Sequence, residues 1–130
     1  RDLQQEAKDA RRPWDVSKAF DDSAPIGALV PAARLRKIHA AKLKLRVNGK
    51  VRQQGSTRDM IWSVPEMVSH LSRLFVLEPG DLIMTGTPAG VSALVPGDRV
   101  KAEVAGLPAC EFEVAGLLPA LDDPLVADYL

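Results

Sequence analysis

The 130 residues make one domain's worth of chain, and 46% hydrophobic with 26% charged residues is the balance of an ordinary globular protein. Lys plus Arg and Asp plus Glu both number 17, so no net field draws the chain to nucleic acid or to an anionic membrane. No apolar run approaches the roughly 20 residues that span a bilayer, no signal-peptide pattern is visible, and the single Cys110 excludes an internal disulfide. A reducing cytoplasm is the expected home. The chain opens at Arg1 on helix-like sequence without an initiator Met, so a processed N-terminus or a missing upstream segment is expected.

In chain order, Asp2 to Arg12 carries Leu3, Ala7 and Ala10 at helical spacing and stops at Pro13, which predicts a short helix. Gln4 falls beside its apolar stripe. Lys18 then stands between Trp14 and Phe20 in a stretch bounded by Pro13 and Pro25. Two readings fit it: a partly desolvated ammonium that grips a carboxylate or enolate, or a lysine whose stem packs on the rings. Between Arg34 and Arg46 lies a basic cluster without aromatics; lacking a base-stacking platform, it reads as a solvated face.

Leu43, Leu45 and Val47 alternate with Lys44 and Arg46 as in a half-buried strand, and Asn48-Gly49 signals a hairpin. A two-residue turn would set Lys50 opposite Val47 on the apolar face. A longer loop through Lys50, with a bulge and Val51 opposite Val47, is therefore expected. Ser63 and Glu66 have capping-box spacing ahead of Val64, Met67, Val68, Leu71, Leu74 and Phe75, predicting an amphipathic helix from Ser63 to Phe75. His70 sits beside that stripe.

Pro79-Gly80-Asp81 introduces Leu82-Ile83-Met84, an apolar run of buried-strand length, and the run ends in Thr85-Gly86-Thr87-Pro88-Ala89-Gly90-Val91. Gly86 and Gly90 open backbone angles closed to other residues, and Pro88 biases Thr87 toward an extended conformation. Such a loop can hold a small oxyanion with its hydroxyls and bare backbone, or it can be a plain strand exit. Its glycines match neither a dinucleotide fingerprint nor a phosphate loop. A second Pro-Gly-Asp turn at 96–98 leads to Val100, Ala102 and Val104, then to Cys110, Phe112 and Val114. These are two alternating strands joined through Ala105-Gly106-Leu107-Pro108, with Cys110 as a small core residue. Residues 117–130 lack periodicity and read as a tail. About six mostly antiparallel strands and two helices predict an α+β domain on a rolled sheet or sandwich.

Several of these segments, in this order, carry a resemblance: Arg1-Asp2-Leu3-Gln4, Pro13-Trp14 with Lys18-Ala19-Phe20-Asp21, Val47-Asn48-Gly49 with Arg52-Gln53-Gln54-Gly55, and Pro79-Gly80-Asp81 with Thr85-Gly86-Thr87-Pro88-Ala89-Gly90-Val91. Over Arg1 to about Val114 the chain resembles the C-terminal part of the fumarylacetoacetate hydrolase family, nearest its acylpyruvate and fumarylpyruvate hydrolase-like members. The resemblance implies a mixed β-sandwich roll, with residues 1–116 as the C-terminal portion of the catalytic domain, and a homodimer. It also implies one Mg²⁺ or Mn²⁺ per site and a small 2-oxo acid substrate, with neither nucleic acid nor membrane as partner.

In such hydrolases the metal chelates the oxo-acid end and stabilises a departing enolate. Lys18 is similar to the family's active-site lysine, which supports the enolate charge. Arg1 and Gln4 match the segment beside the metal, and Gly86 and Thr87 match the loop that holds the substrate carboxylate. The family's metal ligands, a Glu-x-Glu pair and an Asp, are expected upstream of Arg1. Glu111-Phe112-Glu113 has the spacing but the wrong place in the pattern. The implied activity is C–C bond hydrolysis of acylpyruvates. Oxaloacetate decarboxylation or tautomerisation, and hydration or isomerisation of 2-oxo-diene acids, are alternatives within the family; a non-catalytic binding domain is the alternative outside it.

Overall fold

The computed structural model describes residues 2–35 and 37–116. Four strands, β1 (Lys42–Val47), β2 (Lys50–Ser56), β3 (Arg99–Val104) and β4 (Cys110–Glu113), form one antiparallel sheet in the order β2-β1-β3-β4. Two α-helices accompany it, α1 (Asp2–Asp9) and α2 (Val64–Leu71), with short 3₁₀ turns at Ala32–Arg34, Ile38–Ala40 and Thr57–Asp59. The α+β class follows from the residue pattern as expected, but the described residues contain four strands and not six. The tail expected over 117–130 lies outside them.

Alternation sorts the sheet into two faces. Leu43, Leu45 and Val47 stand opposite Val104, Ala102 and Val100, and Val100 and Ala102 in turn stand opposite Phe112 and Cys110. Val47 and Val100, a directly paired couple at 4% and 2% exposure, form the centre of the core together with Ala41. The other face carries cross-strand ion pairs: Arg46 with Glu103 at 3.5 Å, Lys101 with Glu111 at 2.7 Å and Arg99 with Glu113 at 3.2 Å. Exposed pairs of this kind each contribute little stability; what they decide is which face meets water.

The first hairpin corrects the expected register. Val47 pairs with Lys50 and Arg46 with Val51, so the turn is the two-residue Asn48-Gly49. Both residues take positive φ, 49° and 78°, as the primed turn requires. A bulge is present, but further along, where Leu45 pairs with Gln53 after Arg46 has paired with Val51. Arg52 is the extra residue. Turn chemistry overrode side-chain polarity: Lys50 accepts a place opposite Val47 at the open end of the sheet, where it is exposed.

Two further expectations change. Leu82-Ile83-Met84 is not a ladder strand; among the described residues it joins neither sheet edge, and Leu82 and Met84 are exposed. An apolar run has strand length, but only a hydrogen-bonding neighbour makes it a strand. Both helices are also shorter than their apolar stripes. α1 gives way to turns through Arg12 after Arg11 adopts a left-handed conformation (φ 52°). α2 continues past Leu71 only as hydrogen-bonded turns to Phe75. At its other end the capping box forms as read: Glu66 N–H donates to Ser63 Oγ and Ser63 N–H to Glu66 Oε2. Those Ser63 groups, the hydroxyl first, hold the Glu66 carboxyl below its ordinary range.

Both Pro-Gly-Asp segments fold alike. Gly80 and Gly97 take positive φ, and each Asp carboxylate accepts from the amide three residues earlier, Glu78 for Asp81 and Val95 for Asp98. No helix among the described residues is long and apolar enough to cross a membrane.

Candidate functional site

The loop that follows Met84 settles on the apolar face of β2, at the bulge. Because Arg52 is the extra residue, Gln53 and Gly55 fall on the same face as Leu45 and Leu43, their partners in β1. A carboxamide on an apolar face needs partners, and the loop supplies them. Gln53 Nε2 donates to Thr87 Oγ1 at 2.8 Å and to the Pro88 carbonyl at 2.7 Å.

Glycines make this approach possible. A Cβ on Gly90 would lie 2.1 Å from the Arg52 carbonyl oxygen, and Gly90 has φ +102°. A Cβ on Gly55 would meet Pro88 Cβ at 3.2 Å. Gly86 is needed for a different reason: its φ is +91°, and open space lies where its Cβ would be. The loop is thus pinned from Thr87 to Gly90, with open space beside Gly86 and with Thr87 exposed. An exposed hydroxyl on pinned backbone can offer a hydrogen bond to a small oxyanion.

Lys18 lies in a run of turns between α1 and the first 3₁₀ segment. Its amide donates to the Asp15 carbonyl at 2.9 Å, and Ser17 N–H and Oγ both donate to the Trp14 carbonyl, at 3.0 and 2.6 Å. The ammonium is exposed and has no hydrogen-bond or ion-pair partner among the described residues. Trp14 and Phe20 are 46% and 55% exposed, so within the described residues they do not enclose the lysine.

Gln4 is half-buried on α1, and Arg1 lies outside the described residues. The structure joins Thr87 to Gln53; it forms no hydrogen bond or ion pair between Lys18 and Thr87. Two open hollows of about 340 and 330 Å³ lie elsewhere and include neither Lys18, Gln53 nor Thr87.

Sequence reasoning missed Gln53 even though the expected register, with Val51 opposite Val47, already set it opposite Leu45, as observed. A carboxamide on that apolar face was the signal that could have found it.

A divalent ion does not fit the described residues. No group of three or more His, Cys, Asp or Glu side chains among them could hold a metal. Glu111 and Glu113, which have ligand-pair spacing, are engaged by Lys101 and Arg99 on the polar face.

Against known proteins, the family described as "Fumarylacetoacetate (FAA) hydrolase C-terminal" matches residues 1–115. A rat protein named mitochondrial oxaloacetate tautomerase FAHD1 is 43% identical over 114 residues, 88% of this chain and 52% of its own. Fumarylpyruvate hydrolase from Pseudomonas aeruginosa, solved in complex with Mn²⁺ and pyruvate, is 46% identical with a TM-score of 0.81, over 88% of this chain and 49% of that one. Maleylpyruvate hydrolase from Sphingobium sp. SYK-6, with manganese(II) and pyruvate, is 33% identical with a TM-score of 0.65, over 67% and 33% respectively. The chain spans about half the length of the curated relatives it matches.

Proposed function

The chain belongs to the fumarylacetoacetate hydrolase family, and from that premise we propose that it forms the substrate-carboxylate side of an enzyme that hydrolyses a C–C bond in acylpyruvate or fumarylpyruvate-type 2,4-dioxo acids. The observation that carries the proposal is the pinned loop: Thr87 presents an exposed hydroxyl beside left-handed Gly86, held from behind by Gln53. A carboxylate accepts from such a hydroxyl and from neighbouring amides. In the reaction water adds to the distal carbonyl, the bond between C3 and C4 breaks, and its electron pair leaves as the enolate of a 2-oxo acid. That enolate then takes a proton at C3. Lys18, a free cation on the same chain, supports the enolate charge. Arg1 and Gln4 orient the oxo-acid end.

The family's chemistry includes a divalent ion, Mg²⁺ or Mn²⁺, supplying Lewis acidity. The described residues offer it no donor set, so its ligands would come from polypeptide outside them. A homodimer, a cytoplasmic home and a place in aromatic catabolism complete the proposal.

A second reading is tautomerisation of oxaloacetate, supported by the 43% identity to the rat tautomerase over these same residues. The test is a screen of the full-length protein with Mg²⁺ and with Mn²⁺ against acetylpyruvate, fumarylpyruvate and oxaloacetate. Release of pyruvate from the first two supports the hydrolase. Enol–keto conversion of oxaloacetate without cleavage of either acylpyruvate supports the tautomerase. Failure on all three overturns both.

A further inference from the structure

We propose that Gln53 is a positioning residue that fixes the Thr87 hydroxyl as a hydrogen-bond donor to the substrate carboxylate. The inference rests on the functional reading above and deepens it.

Hydrogen-bond polarity sets the direction of the Thr87 hydroxyl. The Pro88 carbonyl can only accept, and it lies 2.7 Å from one end of the Gln53 carboxamide, so that end is the NH₂ group. An NH₂ group has two hydrogens. The first goes to Pro88, and the second points at Thr87 Oγ1, 2.8 Å away. Thr87 must therefore accept from Gln53, and a hydroxyl that accepts there keeps its own single hydrogen for another direction. No other partner of Thr87 Oγ1 is present among the described residues. The free hydrogen suits an acceptor such as a carboxylate oxygen.

The close approaches of Gly90 to Arg52 and of Gly55 to Pro88 hold the loop on either side of this amide, so loss of Gln53 leaves the loop docked and frees the Thr87 hydroxyl to turn. Gln53 touches no reacting atom; it acts through Thr87.

The test compares Gln53→Met, Gln53→Glu, Thr87→Val and Gln53→Met/Thr87→Val in the full-length protein, with KM and kcat for its best 2-oxo acid. Pyruvate binding measured by calorimetry gives a readout independent of turnover. A glutamate at 53 cannot donate to Pro88, and it takes the Thr87 hydrogen for itself. Gln53→Glu should thus raise KM and weaken pyruvate binding by at least about tenfold, the scale of one charge-assisted hydrogen bond. Gln53→Met should act in the same direction, with kcat changed less than KM. The double variant should bind pyruvate no worse than Thr87→Val alone, because both substitutions remove the same contact.

Unchanged KM and pyruvate affinity in both Gln53 variants, with Thr87→Val impaired, overturns the role of Gln53 alone. Losses that add in the double variant overturn it too. An unimpaired Thr87→Val overturns the carboxylate loop itself, and with it this proposal. Thermal denaturation follows folding separately; should Gln53→Met fail to fold, Gln53→Glu, nearly identical in size, carries the comparison.

Discussion

Asn48 and Asp98, fifty residues apart, are joined side chain to side chain: Asn48 Nδ2 donates to Asp98 Oδ1 at 2.7 Å. Asn48 Oδ1 also accepts from Arg99 N–H at 2.9 Å, and the Asn48 amide donates to the Arg99 carbonyl. The turn of the first hairpin is thereby tied to the Pro-Gly-Asp turn that opens β3, at the end of the sheet where Val47 and Val100 pair. One residue serves two purposes here, because Asn also tolerates the left-handed φ of the turn.

This junction makes folding sensitive to acid. The Val95 amide, and then the Asn48 side chain, hold the Asp98 carboxyl below its ordinary range. A lowered folded-state pKa contributes stability that is fully present above the unfolded value of about 3.9, and that is lost as pH falls through the folded value. Asn48→Gly keeps the turn geometry and removes both side-chain bonds. It should lower Tm at neutral pH, and the gap to the parent should narrow as pH falls below about 4. Thermal melts between pH 7 and pH 2.5 check this; a Tm gap that stays constant through the acid range contradicts it.

Gly90 is the second point of sensitivity. Its φ of +102° costs a non-glycine residue on the order of 1–3 kcal/mol, and a Cβ 2.1 Å from the Arg52 carbonyl oxygen forces the loop off the bulge. Gly90→Ala should lose at least that much stability by urea titration and should weaken pyruvate binding with it. Gly86→Ala, which meets open space, should show the backbone strain without the clash and so a smaller loss. Equal losses at the two positions would contradict the docking.

Lys18 is the residue assigned to the departing enolate. Lys18→Ala in the full-length enzyme should lower turnover of acylpyruvates by at least about a hundredfold, the scale of one lost electrostatic stabiliser. Because the side chain is exposed and makes no hydrogen bond or ion pair among the described residues, Tm should stay within about a degree or two, as for substitutions away from structural features. Near-normal turnover removes Lys18 from the chemistry.

What could be read in advance divides along physical lines. Ser63 and Glu66 were legible because a capping box is a contact between residues three apart, and the Pro-Gly-Asp turns were legible for the same reason. The faces of β1, β3 and β4 were legible because alternation has a fixed period. The register of β2 beside the turn was not, since it pits the Asn48-Gly49 turn against the polarity of Lys50, and sequence does not weigh the two; from Leu45 and Gln53 onward the pairing is the expected one. Leu82-Ile83-Met84 failed for another reason: being a strand depends on a neighbour, and no local pattern contains the neighbour. Thr87 and Gly86 were singled out by motif, whereas Gln53, though expected opposite Leu45, drew no notice until its contacts with Thr87 and Pro88 were seen.

The central claim is that the Thr87 hydroxyl and the Lys18 ammonium converge on one small 2-oxo acid. A crystal structure of the full-length protein with bound pyruvate tests it most directly. Thr87 Oγ1 should lie within about 3 Å of a pyruvate carboxylate oxygen, with Lys18 Nζ at similar range of the 2-oxo oxygen. Pyruvate held away from Thr87, or Lys18 facing a separate surface, would contradict it.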